Sequence, residues 1–304
     1  MNVKMLTKIF MICSILLSSD NIYQLNSSTR NTSLGGTHIS SNNLSSIFDS
    51  PLRFDSGNSN NLMNKSNFYF AYHNQYHNQV DVLHFGYCAY SSKEMNLGIG
   101  LVSRKIENNF NTNNSWIDNG DGIPNQDEID YNQIYKFNDQ EIGFLISYNR
   151  KLTNSILAVN LKPTYHSIDN ISSSGISFDI FYMKDIKLGK CTFGLQNIGS
   201  FKKWENGTTE TFEPSIFINS EFELNKFLLC MEFNSDYNLI GGIEYNLNDL
   251  IDIRLGSNST YISMGFGLKT NFANIDYAYI KNYNSILDES HKISFLIDMS
   301  KNVD

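Results

Sequence analysis

The chain has 304 residues, a formal net charge of −8, 41% hydrophobic residues and an aromatic content of 13% carried mainly by 21 Phe and 17 Tyr. That is length for one large domain or two ordinary ones. No Lys/Arg stripe offers to neutralise phosphates, which excludes a nucleic-acid surface.

Residues 1–19 stand apart. Lys4 and Lys8 precede the apolar run Ile9–Leu17, followed by Ser18 and Ser19. A basic start, a short apolar run and small residues read as a secretory signal peptide, and the run is too short to span a bilayer as a helix. Cleavage before Asp20 would remove two lysines, giving −8 − 2 = −10. Cys88, Cys191 and Cys230 would remain, an odd and widely spaced set that makes no disulfide framework.

Residues 20–66 are rich in Ser and Asn and carry no periodicity. Within them "NNLSSIFDSP" suits a short helix, with Asn42 or Asn43 as cap and Pro51 as stop. The segment reads either as a plug inside a wide barrel or as a periplasmic tail.

From residue 67 to 304 the period is two. Fourteen strands are expected near 67–75, 80–90, 95–104, 139–150, 155–166, 174–184, 190–200, 213–223, 226–235, 239–246, 250–257, 261–269, 272–280 and 290–299. In the twelfth, Ile262, Met264, Phe266 and Leu268 share one face, and Ser263, Gly265, Gly267 and Lys269 the other. Connections after even-numbered strands are tight, as in "SSKE", "KLTN" and "LND". Those after odd-numbered strands include every long one: 105–138, 201–212 and 281–289. Sorting of loop length by parity is the mark of a closed, up-and-down antiparallel transmembrane β-barrel, all-β, with short periplasmic turns and long external loops. Membrane lipid is the implied partner, since a closed barrel leaves no unpaired edge in hydrocarbon. The mean hydropathy of −0.31 fits one lipid face and one wet face. Tyr69, Tyr87, Tyr90, Tyr182, Phe201, Tyr237, Tyr261 and Phe272 are candidates for the interfacial aromatic girdles.

The longest connection holds "WIDNGDGIPNQDEIDY", residues 116–131. Asn119, Asp121, the Ile123 carbonyl, Asn125 and Glu128 fall at positions 3, 5, 7, 9 and 12 of a calcium loop, with Gly122 at the sharp turn. Ile117 takes position 1, and Asp118 sits one residue late. Ca²⁺ in loop 117–128 is one reading; a polar loop whose Asn, Asp and Gly serve turn geometry is the other. His73 and His77 read as rim residues. Neither a Gly-x-Ser-x-Gly elbow nor His-Glu-x-x-His occurs, so no enzyme activity is expected, although His166, Ser147 and Asn149 would face one lumen. Arg104, Lys162, Asp179, Glu221, Asp276 and Lys269 are expected to line that lumen in inter-strand pairs.

Several strings carry a resemblance. "LGGTHISSNNLSSIFDSPLRF", Leu34–Phe54, resembles the N-terminal signature of PorV/PorQ-type outer-membrane proteins, which are similar to FadL-like transporters. "TFGLQNIGS", Thr192–Ser200, resembles an internal strand of that family, and Gly241–Ile280 its C-terminal hairpins, with "HKISFLIDM" in place of the final strand. Ser50–Pro51 departs from the family's Asn-Pro turn, and the last strand ends on Met299 rather than an aromatic residue. The resemblance implies a fourteen-stranded barrel in the bacterial outer membrane with its N-terminal segment inside as a plug. It also implies an accessory, cargo-handling role in type IX protein secretion, with a secreted protein as partner. The alternative is a transporter or binder of hydrophobic small molecules, and a third option is a soluble secreted β-protein.

Overall fold

The computed structural model describes residues 22–25, 27–39, 43–54, 67–76, 79–120, 122–123, 125–236, 238–270, 272–284 and 289–298. The signal-peptide reading of 1–19, and the expectations for His77, Asp121, Tyr237 and Met299, lie outside those residues.

The strands are β1 (Asn67–Gln75), β2 (Val80–Ser91), β3 (Met95–Asn111), β4 (Tyr135–Lys151), β5 (Ser155–Ile168), β6 (Ile171–Ile186), β7 (Gly189–Trp204), β8 (Thr209–Glu210), β9 (Ser215–Leu224), β10 (Phe227–Asn234), β11 (Leu239–Asn246), β12 (Ile251–Ser257), β13 (Tyr261–Lys269), β14 (Ala273–Asn282) and β15 (Ser290–Asp298). Each pairs antiparallel with its neighbours, and β15 returns to β1 with Phe70 opposite Phe295 and His73 opposite Lys292. β8 is a two-residue addition to β7, which pairs with both β6 and β9. The cylinder therefore has fourteen staves. Among the described residues no helix is long and apolar enough to cross a bilayer.

Alternation places the side chains as expected. Ile262, Met264 and Phe266 point out and are exposed, while Ser263 points in and is buried. Phe70, Leu83, Ile99, Phe144, Ile180 and Ile253 repeat this exposure around the cylinder. A continuous apolar belt of this extent on a single chain is far larger than water tolerates, and a bilayer is the medium that covers it.

One rim, here the lower, carries the tight turns 92–94, 152–154, 187–188, 225–226, 247–250 and 270–272. The upper rim carries 112–134, 205–214 and 283–289, but also the two-residue turn at 169–170. Strands near the upper rim run further than the alternation indicated. β3 continues to Asn111 and β4 begins at Tyr135, so the expected loop 105–138 is only 112–134. Above the lipid belt the outward face meets water. Polar residues such as Ser103, Lys105, Asn138 and Gln140 then take the outward face while Arg104, Asp139 and Glu141 take the inward one, and the apolar period ends before the ladder does.

Three single-residue expectations change. Tyr69 and Tyr261 are not girdle residues. Tyr69 is 1% exposed with its hydroxyl toward Thr29, and Tyr261 packs its hydroxyl against Gly36. His73 is not at the rim either; it is buried on the inner face of β1. Period-two reading assigned a strand end to each, and the N-terminal segment covers Tyr69 and Tyr261 from inside.

Candidate functional site

The lumen is occupied by residues 22–25, 27–39 and 43–54. Ser28 caps a single helical turn, Thr29–Thr32, by accepting from Asn31 N. Asn43 caps a 3₁₀ turn, Leu44–Phe48, by accepting from Ser45 N at 2.9 Å. That turn ends at Asp49, two residues before Pro51, as the sequence indicated. Between the two turns Gly35 and Gly36 have φ of +82° and +83°, a conformation that other residues rarely adopt.

Toward β1–β4 the segment is apolar. Ile22, Leu44, Ile47, Phe48 and Phe54 form one buried cluster with Tyr69, Ala71, Val82, Val102 and Leu145 of the inner wall. Each fully buried side chain of this kind contributes about 1.5–3 kcal/mol. Gly98 makes the fit possible, because a Cβ there would strike Ile47 and come within 3.1 Å of Phe54.

Polar contacts on this side include Thr29 N donating to the Tyr69 hydroxyl, Asn149 donating to the Pro51 carbonyl, and one at a proline. Pro163 of β5 has no N–H, so the carbonyl of Phe144 opposite it on β4 lacks a ladder donor. The Tyr23 hydroxyl lies 2.8 Å from Phe144 O and 2.7 Å from Pro163 O. It supplies the donor that proline removed. Lys162 Nζ sits 4.8 Å from the centre of the Tyr23 ring.

Toward β9–β13 the grip is ionic. Arg30 forms a fork on Glu244, 2.8 and 2.9 Å. Glu244 also takes Arg254 Nε at 2.6 Å, and Arg254 reaches Asp276 at 2.5 Å. Glu232 accepts from the His38 backbone at 2.7 Å and bonds its ring Nδ1 at 2.8 Å, while Phe217 stacks on the ring at 4.2 Å. Burial pulls the His38 imidazole down, but the Glu232 carboxylate more than offsets it, and the net shift is upward. Gly256 is the seat for this side, since a Cβ there would collide with the backbone of Leu34 and Gly35.

The charged lining is paired across strands, as anticipated: Lys162 with Asp179 at 2.7 Å, Lys269 with Asp252 at 2.8 Å, and Arg104 with Asp139 and Glu141 at 3.4 and 3.3 Å. Lys190 stands 4.0 Å from Glu221. His166 is not brought to Ser147. It bonds Asp139 at 2.8 Å and Lys202 at 2.6 Å, whereas Ser147 donates to Asn160 and Asn149 donates to the Pro51 carbonyl. The lumen stays open at the lower rim in two cavities. One, of about 370 Å³, lies beside Arg30 and Glu244. The other, of about 390 Å³, lies between Arg53 and the turns at 92–94 and 152–154.

The loop singled out in sequence stands on the upper rim, beyond the lipid belt. Trp116 bridges to Ile129, and Ile117 N donates to the Glu128 carbonyl. Glu128 Oε2 accepts from the Trp116 indole at 2.9 Å and from Asn125 N at 3.3 Å, and Glu128 Oε1 is buried with no hydrogen-bond partner among the described residues. Asp118 Oδ1 accepts from Gly120 N and Gly122 N, closing the turn that precedes Ile123. Asn119 lies within that turn. Asp118, which matched no ligand position, is thus the residue that shapes the loop.

No family model matches the sequence, and no curated protein matches it. Solved structures share its fold. The toluene transporter TodX of P. putida superposes with a TM-score of 0.61 at 8% identity, over 88% of this chain and 97% of that one. A deltaS2S3 mutant of TodX, described as a monoaromatic hydrocarbon channel, gives 0.55 at 8% identity, over 89% and 97%. At that identity the likeness is one of fold: a closed fourteen-strand antiparallel barrel of the outer-membrane type.

Proposed function

We propose that the chain is an outer-membrane channel for hydrophobic small molecules, with residues 20–66 as its plug and the tight-turn rim toward the periplasm. The observation that carries this reading is the apolar cluster between Leu44, Ile47, Phe48 and the inner face of β1–β4. A pore for hydrophilic solutes has no use for an apolar inner wall. A passage for hydrocarbon does, once the segment that covers it moves aside. The likeness to a toluene transporter supports the same reading at the level of fold.

The test locks the part of the segment that covers the apolar wall. A Cβ at Gly100 lies 3.1 Å from Ile47 Cγ2, so the pair Ile47→Cys and Gly100→Cys would tie the segment to β3. Transfer of a hydrophobic fluorescent probe across liposomes should stop in the oxidised variant and return on reduction. Equal transfer in both states would show that the segment is no gate.

A second reading, the accessory of protein secretion, is favoured by the height of β3–β7, which carry the chain well past the bilayer. Deleting 112–134 would then abolish retention of a secreted protein at the cell surface and leave probe transfer intact. For the loop itself we keep calcium as the proposed ligand of Asn119, Asp121, the Ile123 carbonyl, Asn125 and Glu128. There Glu128 would exchange its Trp116 and Asn125 donors for the ion.

A further inference from the structure

Two histidines on the inner wall take no part in the contacts above. His73 on β1 is 5% exposed and His84 on β2 is 3% exposed. In the ladder His73 stands opposite Val82, and His84 opposite Ala71. Both rings therefore enter the lumen from adjacent strands, one step apart. His73 Nδ1 meets Gln75 Nε2 at 3.3 Å. His73 Nε2 and both ring nitrogens of His84 have no hydrogen-bond partner among the described residues. The His84 ring instead meets Phe48 edge-on at 5.2 Å.

The surroundings are cationic. Lys292 on β15 is directly opposite His73 and is 1% exposed. Among the described residues its ammonium bonds the Ser27 carbonyl of the N-terminal segment. Arg104 on β3 stands opposite Val82, the residue that faces His73 across the ladder, and is engaged with Asp139 and Glu141. The remaining titratable neighbours are Tyr69 on β1 and Asp49 on the segment. Asp49 Oδ1 accepts from Ser28 N at 2.8 Å and Ser50 donates to the His38 carbonyl at 3.0 Å, two bonds between the halves of the segment that must open if residues 43–54 lift alone. Burial pushes the Asp49 carboxyl up to about 6. A proton there removes the negative charge that Lys292 feels.

A neutral imidazole is tolerable in this space. A proton on either ring adds a donor with no acceptor and a charge beside an ammonium. Water is the remedy, and Phe48 lies against the His84 ring where that water would enter. We propose that protonation of His73 and His84 releases residues 43–54 from β1, β2 and β15, while the Arg30–His38 half of the segment stays anchored. The second half behaves oppositely for a physical reason. A proton on His38 strengthens its bond to Glu232, so acid tightens that contact as it loosens the other. Asp49 opposes the release, because its neutral form suits the buried position; one such group stands against two unpartnered rings beside Lys292. The segment would then pivot rather than leave. The proposal rests on the reading of this segment as a movable plug.

The test is amide hydrogen exchange on the full chain in lipid, corrected for the intrinsic effect of pH on exchange. Between about pH 7.5 and about pH 5.5, where histidine titrates, protection of Leu44–Phe48 should fall about tenfold, while that of Leu34–Ile39 holds. In the double variant His73→Gln, His84→Gln the fall should vanish. Lys292→Met, which removes the neighbouring charge, should make the fall smaller, because the buried rings then accept a proton more readily in place. Heat-modifiable gel migration confirms that each variant has assembled. No fall in the native chain, or the same fall in the double variant, overturns the proton trigger. Probe transfer measured on the same liposomes judges the plug separately. Transfer by the native chain with no acid effect leaves the plug standing and the trigger overturned. Transfer under no condition, with the acid effect present, leaves the trigger standing and overturns the plug as a gate.

Discussion

β3–β7 and β9–β15 belong to one closed sheet and differ in height. The first five strands have 14–17 residues; apart from the two-residue β8, the strands from β9 onward have 7–10. At ~3.3 Å per residue, 17 residues run about 55 Å along the strand. The apolar band of such a barrel is only about 25 Å tall. Lipid thus accounts for the short wall and for the lower part of the tall one. The excess of β3–β7 stands in water and supports loop 112–134. The two walls also hold the N-terminal segment differently. The short wall relies on ion pairs and a glycine seat around a small apolar cluster of Leu34, Ile39, Leu228 and Cys230. The tall wall, with β1 and β2, relies on a larger apolar cluster, supplemented by the Tyr23 hydroxyl, the Asn149–Pro51 bond and the Arg53–Asp185 pair.

The sharpest way to break the contrast is to remove the centre of the ionic grip. Glu244→Ala leaves Arg30 and Arg254 buried without their shared carboxylate. Breaking a buried pair in this way costs about 3–5 kcal/mol. We expect a large drop in the unfolding temperature of the assembled barrel, with the segment open to protease. A stable barrel with a protected segment would mean that the apolar side alone holds it.

Height can be tested on the outer face. Phe266→Arg, in the belt of β13, should block assembly at a cost of about 2–4 kcal/mol. Gln140→Arg, outward on β4 above the belt, should assemble normally. Equal failure would place the tall wall inside the bilayer. Gly267 is not a silent control despite pointing inward, since a Cβ there lies 2.5 Å from Arg254 and 2.8 Å from Asp276.

On the tall wall the matching experiment is Tyr23→Phe. It leaves the Phe144 carbonyl without the donor that Pro163 cannot give, a loss of about 1–3 kcal/mol. Substituting Pro163 with Val as well restores a backbone N–H. It should recover most of the loss, as read by the denaturation midpoint. A double variant no better than Tyr23→Phe would deny the link between the two residues.

The contrast also marks how far sequence carries. In the short wall the alternation of Ile262, Met264 and Phe266 with Ser263 is enforced by lipid on one side, so strand and face were legible. In the tall wall the lipid constraint stops near Ser103 and Gln140 while backbone pairing continues. The strand ends were therefore hidden. The segment was less legible still. The cap at Asn43 and stop near Pro51 are local and visible. The partners of Arg30, His38 and Tyr23 lie far along the chain, and no period announces them. Pro163 was the one clue, a proline in the middle of a strand that otherwise reads as fully paired. His73 and His84 carried no signal beyond their inward parity.

The smallest expected effect is on the loop that crowns the tall wall. Its backbone is already closed by Asp118 on Gly120 N and Gly122 N, and by Glu128 on Trp116 and Asn125 N. Calcium therefore has little left to organise, and the barrel below draws its stability from strand pairing that a surface loop does not share. Extracellular calcium sites work at about 10⁻⁴–10⁻³ M. At such levels we expect slower proteolytic cleavage within 112–134 and an unchanged barrel melting temperature. Glu128→Gln separates the ion from the fold. It keeps an oxygen for Trp116 and Asn125 N but loses the bidentate carboxylate, so the chelator-treated loop should be cut at the native rate while calcium no longer protects it. A variant cut faster even in chelator would show that Glu128 holds the loop by its hydrogen bonds. Cleavage of the native chain that ignores calcium would leave 117–128 as a turn shaped by Asp118.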